Sequence, residues 1–473
     1  MTRRGFLGAL AASTAGLAIP RALAASRTLR GAEVALRIES GRIEIAPGRY
    51  IDTTFYNGDL DCGVLRLPSR LPVSMTVWNR TGGEEFVHWH GMSVPVEMDG
   101  TYEEGSTAVA SEQTMRYVLP AQRQSFCYVH SHAMTEHSLE GGPYSGQYLP
   151  VVIGDSHRVG LAVDQEVFLT SHEWLPQYVN RDGMERAAEA MHHLRVDDES
   201  EEQEEGAGEG GWEIEYKAAT LNGKVLGAAE PVRVKAGERI LFHVLNASAT
   251  EPLSLHLPGH RFHVVALDGY SVPRPASVEV LCLGVGERAS VVVVMDTPGI
   301  WVLGAVDDDV RGKGLGVVVE YASAMGKPLW SAPYKPAETC DYRMFATPAV
   351  VSAPQKNLSF RLERRPLNHH GFEQWAMVAD NENHADLRQG ERVRIHLQNV
   401  TDEAHPMHLH RYGFELVRYR GHAMRGLKKD TVVVPPYAAV ELDVTPGQPG
   451  AALFHCHNQM HMDCGLKTLL NVV

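Results

Sequence analysis

The sequence is poor in positive charge. Its 473 residues carry 44 Lys and Arg against 58 Asp and Glu, a formal net charge of −14, and an acidic chain of this kind is not a nucleic-acid binder. It also lacks long apolar runs. The stretch from Gly5 to Ile19 holds about 15 residues, too few to span a bilayer comfortably, and no other segment looks transmembrane, so stable membrane insertion is not expected. Clear helical periodicity is nearly missing and is confined to residues 184–194. Cysteine is scarce as well. Besides Cys456 there are Cys62, Cys127, Cys282, Cys340 and Cys464, an odd number, so at least one stays free unless it pairs between chains.

What is plentiful is β-branched sequence cut by turn residues. Gly (44) and Pro (26) punctuate Val-rich runs such as residues 290–294 and 431–434, which points to an all-β protein. A composition of 44% hydrophobic and 22% charged residues is that of a soluble globular protein, and the length suits two to four domains, each with its own core.

The N-terminus reads as an export signal. Arg3-Arg4-Gly5-Phe6-Leu7 precedes a weakly apolar stretch, and Ala22-Leu23-Ala24 offers a small-residue cleavage site. Twin-arginine export over residues 1–24, through the twin-arginine machinery to the periplasm or beyond, is expected. Removal of that segment takes away Arg3, Arg4 and Arg21 and leaves a net charge of −17. Eight of those negatives crowd residues 197–209, a run without apolar periodicity that reads as solvated loop.

Three β-rich domains are expected at residues 25–157, 158–322 and 356–473, the second carrying an acidic insertion at 181–211. A proline-rich linker covers 323–355, with Pro328, Pro333, Pro336, Pro348 and Pro354. A repeated phrase supports the division. Val232-Arg233-Val234-Lys235-Ala236-Gly237-Glu238-Arg239-Ile240 resembles Ala385-Asp386-Leu387-Arg388-Gln389-Gly390-Glu391-Arg392-Val393, and each leads into a strand ending in Asn, Asn246 or Asn399. Similar strand–turn–strand units in separate sections suggest duplicated β-sandwiches.

The chemistry lies in four His-x-His pairs: His88-Trp89-His90, His130-Ser131-His132, His408-Leu409-His410 and His455-Cys456-His457. Chance would give about one such pair at this histidine content. On a strand, residues i and i+2 share a face while i+1 points to the other. Each pair therefore offers two imidazoles to one metal site or to neighbouring metals. In His455-Cys456-His457 the thiolate faces away from both imidazoles, so one segment can touch two centres on the order of 10 Å apart. A thiolate with His405 and His461 and a weak fourth ligand is the blue-copper set, and eight further histidines without carboxylate or thiolate suit a cluster of copper ions. Zinc binds the same donor types but does not need eight extra histidines in paired groups.

These motifs, in this order and two near each end, resemble the three-domain multicopper oxidases of the laccase type over essentially the whole mature chain. The resemblance implies three cupredoxin-like Greek-key sandwiches and four copper ions, with a trinuclear cluster between the first and third domains. Carried over by position, His405, Cys456 and His461 bind the type 1 copper, and His88 and His408 the type 2 copper. One type 3 copper takes His90, His130 and His457, the other His132, His410 and His455. Leu466, five residues after His461, occupies the axial position that is Met in other members, which should favour Cu(I) and raise the potential. Asp99 corresponds to a carboxylate near the type 2 copper that helps deliver protons. Some bacterial members carry Glu directly after the last histidine ligand; here that position is Met462, with Asp463 next, which leaves a second proton carboxylate unassigned.

The activity so implied is one-electron oxidation of a small reducing substrate, laccase-like on phenols and aromatic amines, coupled to reduction of dioxygen to water. A cuprous oxidase of copper tolerance is the alternative, and a non-catalytic exported copper-binding protein is the alternative of another class. His243, His256, His260 and His263 lack the paired spacing and read as core or surface residues, with the middle domain a spacer. His192, His193, Met184 and Met191 read as part of a solvated insertion.

Overall fold

The computed structural model describes residues 29–30, 33–57, 63–135, 138–154, 162–180, 211–322, 324–334, 341–349, 353–380 and 386–473. Residues 1–24, for which export is expected, the 184–194 pattern and the acidic run lie outside them. Strands dominate, and the only α-helices among the described residues are the five-residue Asp308–Gly312 and Gln459–Asp463.

Six sheets pair into three sandwiches. In the first, a sheet ordered Leu29–Arg30, Leu65–Leu67, Tyr148–Ile153, Ser125–Ser131, Val87–His90 faces one ordered Arg49–Tyr56, Glu33–Ala46, Val73–Asn79, Thr114–Leu119. Val73–Asn79 alternates buried and open side chains strictly, the signature of a strand with one face on a core. The middle sandwich joins six strands, including Gln165–Asn180, Arg239–Asn246 and Arg288–Val294, to five, including Leu253–His256 and Gly316–Tyr321. In the third, an eight-stranded sheet backs a four-stranded one ordered Thr431–Val434, His405–Leu409, Gly450–Cys456, Lys467–Val472.

One apolar core runs without a break from the middle sandwich into the third, from Phe242 and Leu255 to Phe454 and Leu466. The first sandwich has its own core around Trp89 and Tyr117, and a smaller cluster containing Phe126, Trp174 and Leu245 joins it to the second. These dry contacts fix the sandwiches against each other. The acidic insertion interrupts a hairpin, because Asn180 and Trp212 at its two ends are opposite one another. Part of the proline-rich stretch is tied down: Thr347–Pro348 pairs with His422–Arg425, and the Tyr342 hydroxyl donates to Glu287 across the sandwiches.

The repeated phrase has a structural reason, and a third copy. After Val232–Val234 and again before Val393–Asn399, a glycine with positive φ (Gly237, Gly390) makes the turn into the next strand. The closing asparagine of each unit is then fully buried. Asn246 Oδ1 accepts from Ser248 N–H and its Nδ2 donates to the carbonyls of Glu251 and Leu283. Asn399 does the same with Thr401 and with Glu403 and Pro435. Asn79 repeats the device in the first sandwich, with Thr81, Gly83 and Val109, although no sequence phrase marks it. Replacing Asn246 by Ala leaves buried carbonyls unpaired; a loss of about 2–3 kcal/mol is expected, read as a lower midpoint of thermal unfolding.

Candidate metal centres

Strand register brings the histidine pairs together. His88 lies opposite His130 across neighbouring strands of the first sandwich, and His408 lies opposite His455 in the third. The two strand pairs face each other across the interface. Donor atoms then gather in groups within 4.8 Å: His90/His130/His457, His132/His410/His455, His88/His90/His408 and His405/Cys456/His461. A fifth group contains His88, Asp99 and His410. Every one of these side chains is buried.

Hydrogen bonds decide which ring nitrogen is free. His88 and His408 each donate Nδ1–H to a carbonyl, of Asp99 and Asp430, at 2.8 Å. A carbonyl can only accept, so both Nε2 atoms, 3.4 Å apart, carry bare lone pairs. His455 Nδ1 donates to the Cys456 carbonyl and His130 Nδ1 to that of Ser131. The His455 Nε2 then lies 3.1 Å from that of His410, and His130 Nε2 is buried without a partner. His90 is turned the other way: its Nε2 is 3.1 Å from both Asp430 Oδ1 and Thr431 Oγ1, and its Nδ1 is the unpartnered atom. In the cysteine group both Nδ1 atoms point at the sulfur, at 3.8 Å from His405 and 3.6 Å from His461, while the Nε2 atoms are tied to Thr401 and Glu403.

Lone pairs aimed at one another in a dry interior repel unless a cation lies between them. Burial pushes His88 down to about 4 and His132 and His457 down to about 3, and holds His90, His130, His405, His408, His410 and His455 well below the ordinary range. Protons therefore do not fill the gaps near neutral pH; metal ions fit them. The anchored second nitrogens are the outer supports that metal-binding imidazoles need. Burial also pushes the Cys456 thiol up, so its thiolate needs a neighbouring cation.

Carboxyl groups border the cluster. Asp99 is fully buried, its Oδ2 3.1 Å from His410 Nδ1, and burial pushes it up to about 7. Beside it Glu104 accepts from Leu453 N–H and is driven up to about 10 by burial and by Asp99. Asp463, whose role the sequence leaves open, accepts from Thr135 Oγ1 and Gln459 Nε2. Leu466 is fully buried, its backbone bonded to Cys456 and His461, and Trp375 stands against His405 and His461 at ring distances of 4.9 and 4.3 Å. Sequence reasoning missed Glu104, Glu403, Asp430 and Arg288; none carries a spacing signal.

The plainly read residues stay plain. His243 is held by Ser290 and Glu166, and His260 by the Pro258 carbonyl and Tyr321. Cys127, Cys456 and Cys464 are free and buried, and Cys282 is disulfide-bonded.

Three cupredoxin-like domains, together with the family matches that follow, mark the chain as a copper-dependent oxidase. Models described as "Multicopper oxidase" match residues 37–155, 191–319 and 353–473, and the chain belongs to the multicopper oxidase family. It is 27% identical to the multicopper oxidase MmcO of Mycobacterium tuberculosis over 100% of this chain and 97% of that protein. It is 22% identical to a copper resistance protein A homolog of Pseudomonas syringae pv. tomato over 98% of each. Among solved structures, the multicopper oxidase Fet3p aligns with a TM-score of 0.76 at 16% identity, covering 93% of this chain and 90% of that one. A laccase from Botrytis aclada aligns at 0.71 and 16%, covering 94% and 88%.

The buried neutral imidazoles set the acid sensitivity of the copper-free protein. Unfolding frees them to titrate near their ordinary value of 6.5, so the stability they contribute is present above that pH and is lost as pH falls toward 3–4. Raised carboxyls such as Asp99 and Glu104 work in the opposite direction, but the depressed histidines outnumber them. The thermal midpoint of the copper-free chain is expected to fall steadily from pH 7 to pH 5; a flat profile would contradict this.

Proposed function

We propose that the chain binds four copper ions and couples one-electron oxidation of a small reducing substrate to reduction of dioxygen to water. The observation that carries this reading is the set of bare imidazole nitrogens facing one another, with the cysteine group joined to them through a single tripeptide. In this reading His405, Cys456 and His461 hold the type 1 copper and His88 and His408 the type 2. His90, His130 and His457 hold one type 3 copper, and His132, His410 and His455 the other. Bound copper supplies the one-electron oxidation and the four-electron reduction of dioxygen to two waters.

The chain's own residues do the rest. Strand alternation sends the Cys456 sulfur to one donor set and the neighbouring imidazoles to the other, so a short covalent path joins the two. Asp99, able to hold a proton near neutral pH and in contact with His410, serves proton delivery, since making two waters from dioxygen takes four protons. Leu466, buried and five residues after His461, has no donor atom, so His405, Cys456 and His461 would be the three donors to a bound copper, which would favour Cu(I) and raise its potential. Glu403, with 30% of its side chain exposed, lies 3.1 Å from His461 Nε2 and gives this set a solvent-facing neighbour.

The first choice of substrate is a phenol or aromatic amine. A cuprous oxidase is the second reading, favoured by likeness to proteins named for copper resistance. The complete donor set weighs against a non-catalytic copper carrier. Export by the twin-arginine route, to the periplasm or beyond, is proposed from Arg3 and Arg4.

Replacing Cys456 by Ser is expected to abolish the visible absorption and the turnover while the far-ultraviolet β signal stays; retained turnover would sink the scheme. Asp99→Asn should cut turnover about 100-fold or more at unchanged copper content, measured as oxygen uptake. Brisk uptake with a simple phenol and no added copper supports the laccase-like reading, and uptake that requires added copper ions supports the cuprous one.

A further inference from the structure

The middle sandwich contributes no residue to the donor groups found among the described residues, yet it reaches the cluster. Gly286, at φ +80°, brings its backbone so close to the His457 ring that an added Cβ would lie 2.6 Å from Cδ2. Two residues on, Arg288 is wholly buried. Its Nη1 and Nη2 grip the two oxygens of Asp430 at 2.6 and 2.7 Å, and Nη1 also donates to the Gly286 carbonyl. Asp430 Oδ1 accepts from His90 Nε2 at 3.1 Å, and the Asp430 carbonyl accepts from His408 Nδ1.

The pair is itself held from behind. Asp268 accepts from the backbone N–H groups of Arg288, Asp430 and Thr431. Lys429 Nζ lies 2.8 Å from Asp268 and 2.9 Å from Glu287. All five side chains are at most 2% exposed. Three come from the middle sandwich and two from the third, and they act on a histidine of the first. The spacer reading of the middle domain therefore omits this contact.

A forked guanidinium fixes the plane of a carboxylate, which a point charge does not. A fixed Asp430 acceptor keeps the proton on His90 Nε2 and the lone pair on Nδ1, whereas a freed carboxylate would lose that aim. We propose that Arg288 is a positioning residue of the copper cluster: acting through Asp430, it holds the His90 imidazole with Nδ1 toward the metal and so makes the middle sandwich part of the site. The inference rests on the proposed assignment of His90 as a ligand.

The test uses the full-length, copper-loaded protein. Wild type, Arg288→Met and Arg288→Lys are compared by copper per chain, the type 3 near-ultraviolet band, the type 2 splitting in electron paramagnetic resonance, and copper retention against a chelator. The visible type 1 band serves as internal control. Arg288→Met is expected to release cluster copper at about 10–100-fold lower chelator concentration with the type 1 band intact, and Arg288→Lys, which keeps the charge but not the fork, to fall between. Fewer than four coppers in wild type would refute the ligand assignment itself. Four coppers in wild type, with Arg288→Met unaltered in retention and in type 2 and type 3 signals, would refute only the role of Arg288. Should Arg288→Met not fold, nitrogen-15 spectra of the fully reduced, copper-loaded wild type decide: a proton on His90 Nε2 supports the proposal, and one on Nδ1 overturns it.

Discussion

Ten imidazoles and one thiol are packed into a dry interior with lone pairs directed at one another, an arrangement that cations lying among them stabilise. Much of the architecture follows from it. Strands supply the alternation that lets a tripeptide present two imidazoles on one side and a sulfur on the other. Backbone carbonyls of the same strands, at Ser131 and Cys456, anchor the outward nitrogens of His130 and His455. Neighbouring loops do the same for His88 and His408 through Asp99 and Asp430.

Two sandwiches would suffice to bring the histidine strands face to face, but the third element gives the interface its rigidity. The apolar core that runs from the middle sandwich into the last and the buried charges around Arg288 and Asp430 do different work. The first resists separation without direction. The second is directional, because a bidentate ion pair that loses one partner strands a buried charge. That strictness suits a site in which an imidazole must offer one particular nitrogen.

Much of this was legible in the sequence because strand geometry is local. His-x-His spacing, the Cys456 position and the Gly237 and Gly390 turns each express a two-residue period or a single backbone angle. The fold gathers His90 with His130 and His457, His132 with His410 and His455, and Cys456 with His405 and His461, while His88 and His408 share a group with His90. What stayed hidden is non-local. Arg288 and Asp430 are 142 residues apart, and Glu104 is placed by a bond from Leu453 N–H, 349 residues away. The third copy of the buried asparagine, Asn79, was missed for a related reason: the bond pattern is kept while the flanking residues differ.

The most direct measurement is an anaerobic reductive titration of the copper-loaded protein followed by reoxidation with dioxygen. Uptake of four electrons per chain, and consumption of one dioxygen per four electrons returned without release of hydrogen peroxide, is the expected result. A capacity of one electron per chain, or peroxide as the product, would contradict a type 1 site joined to a trinuclear cluster.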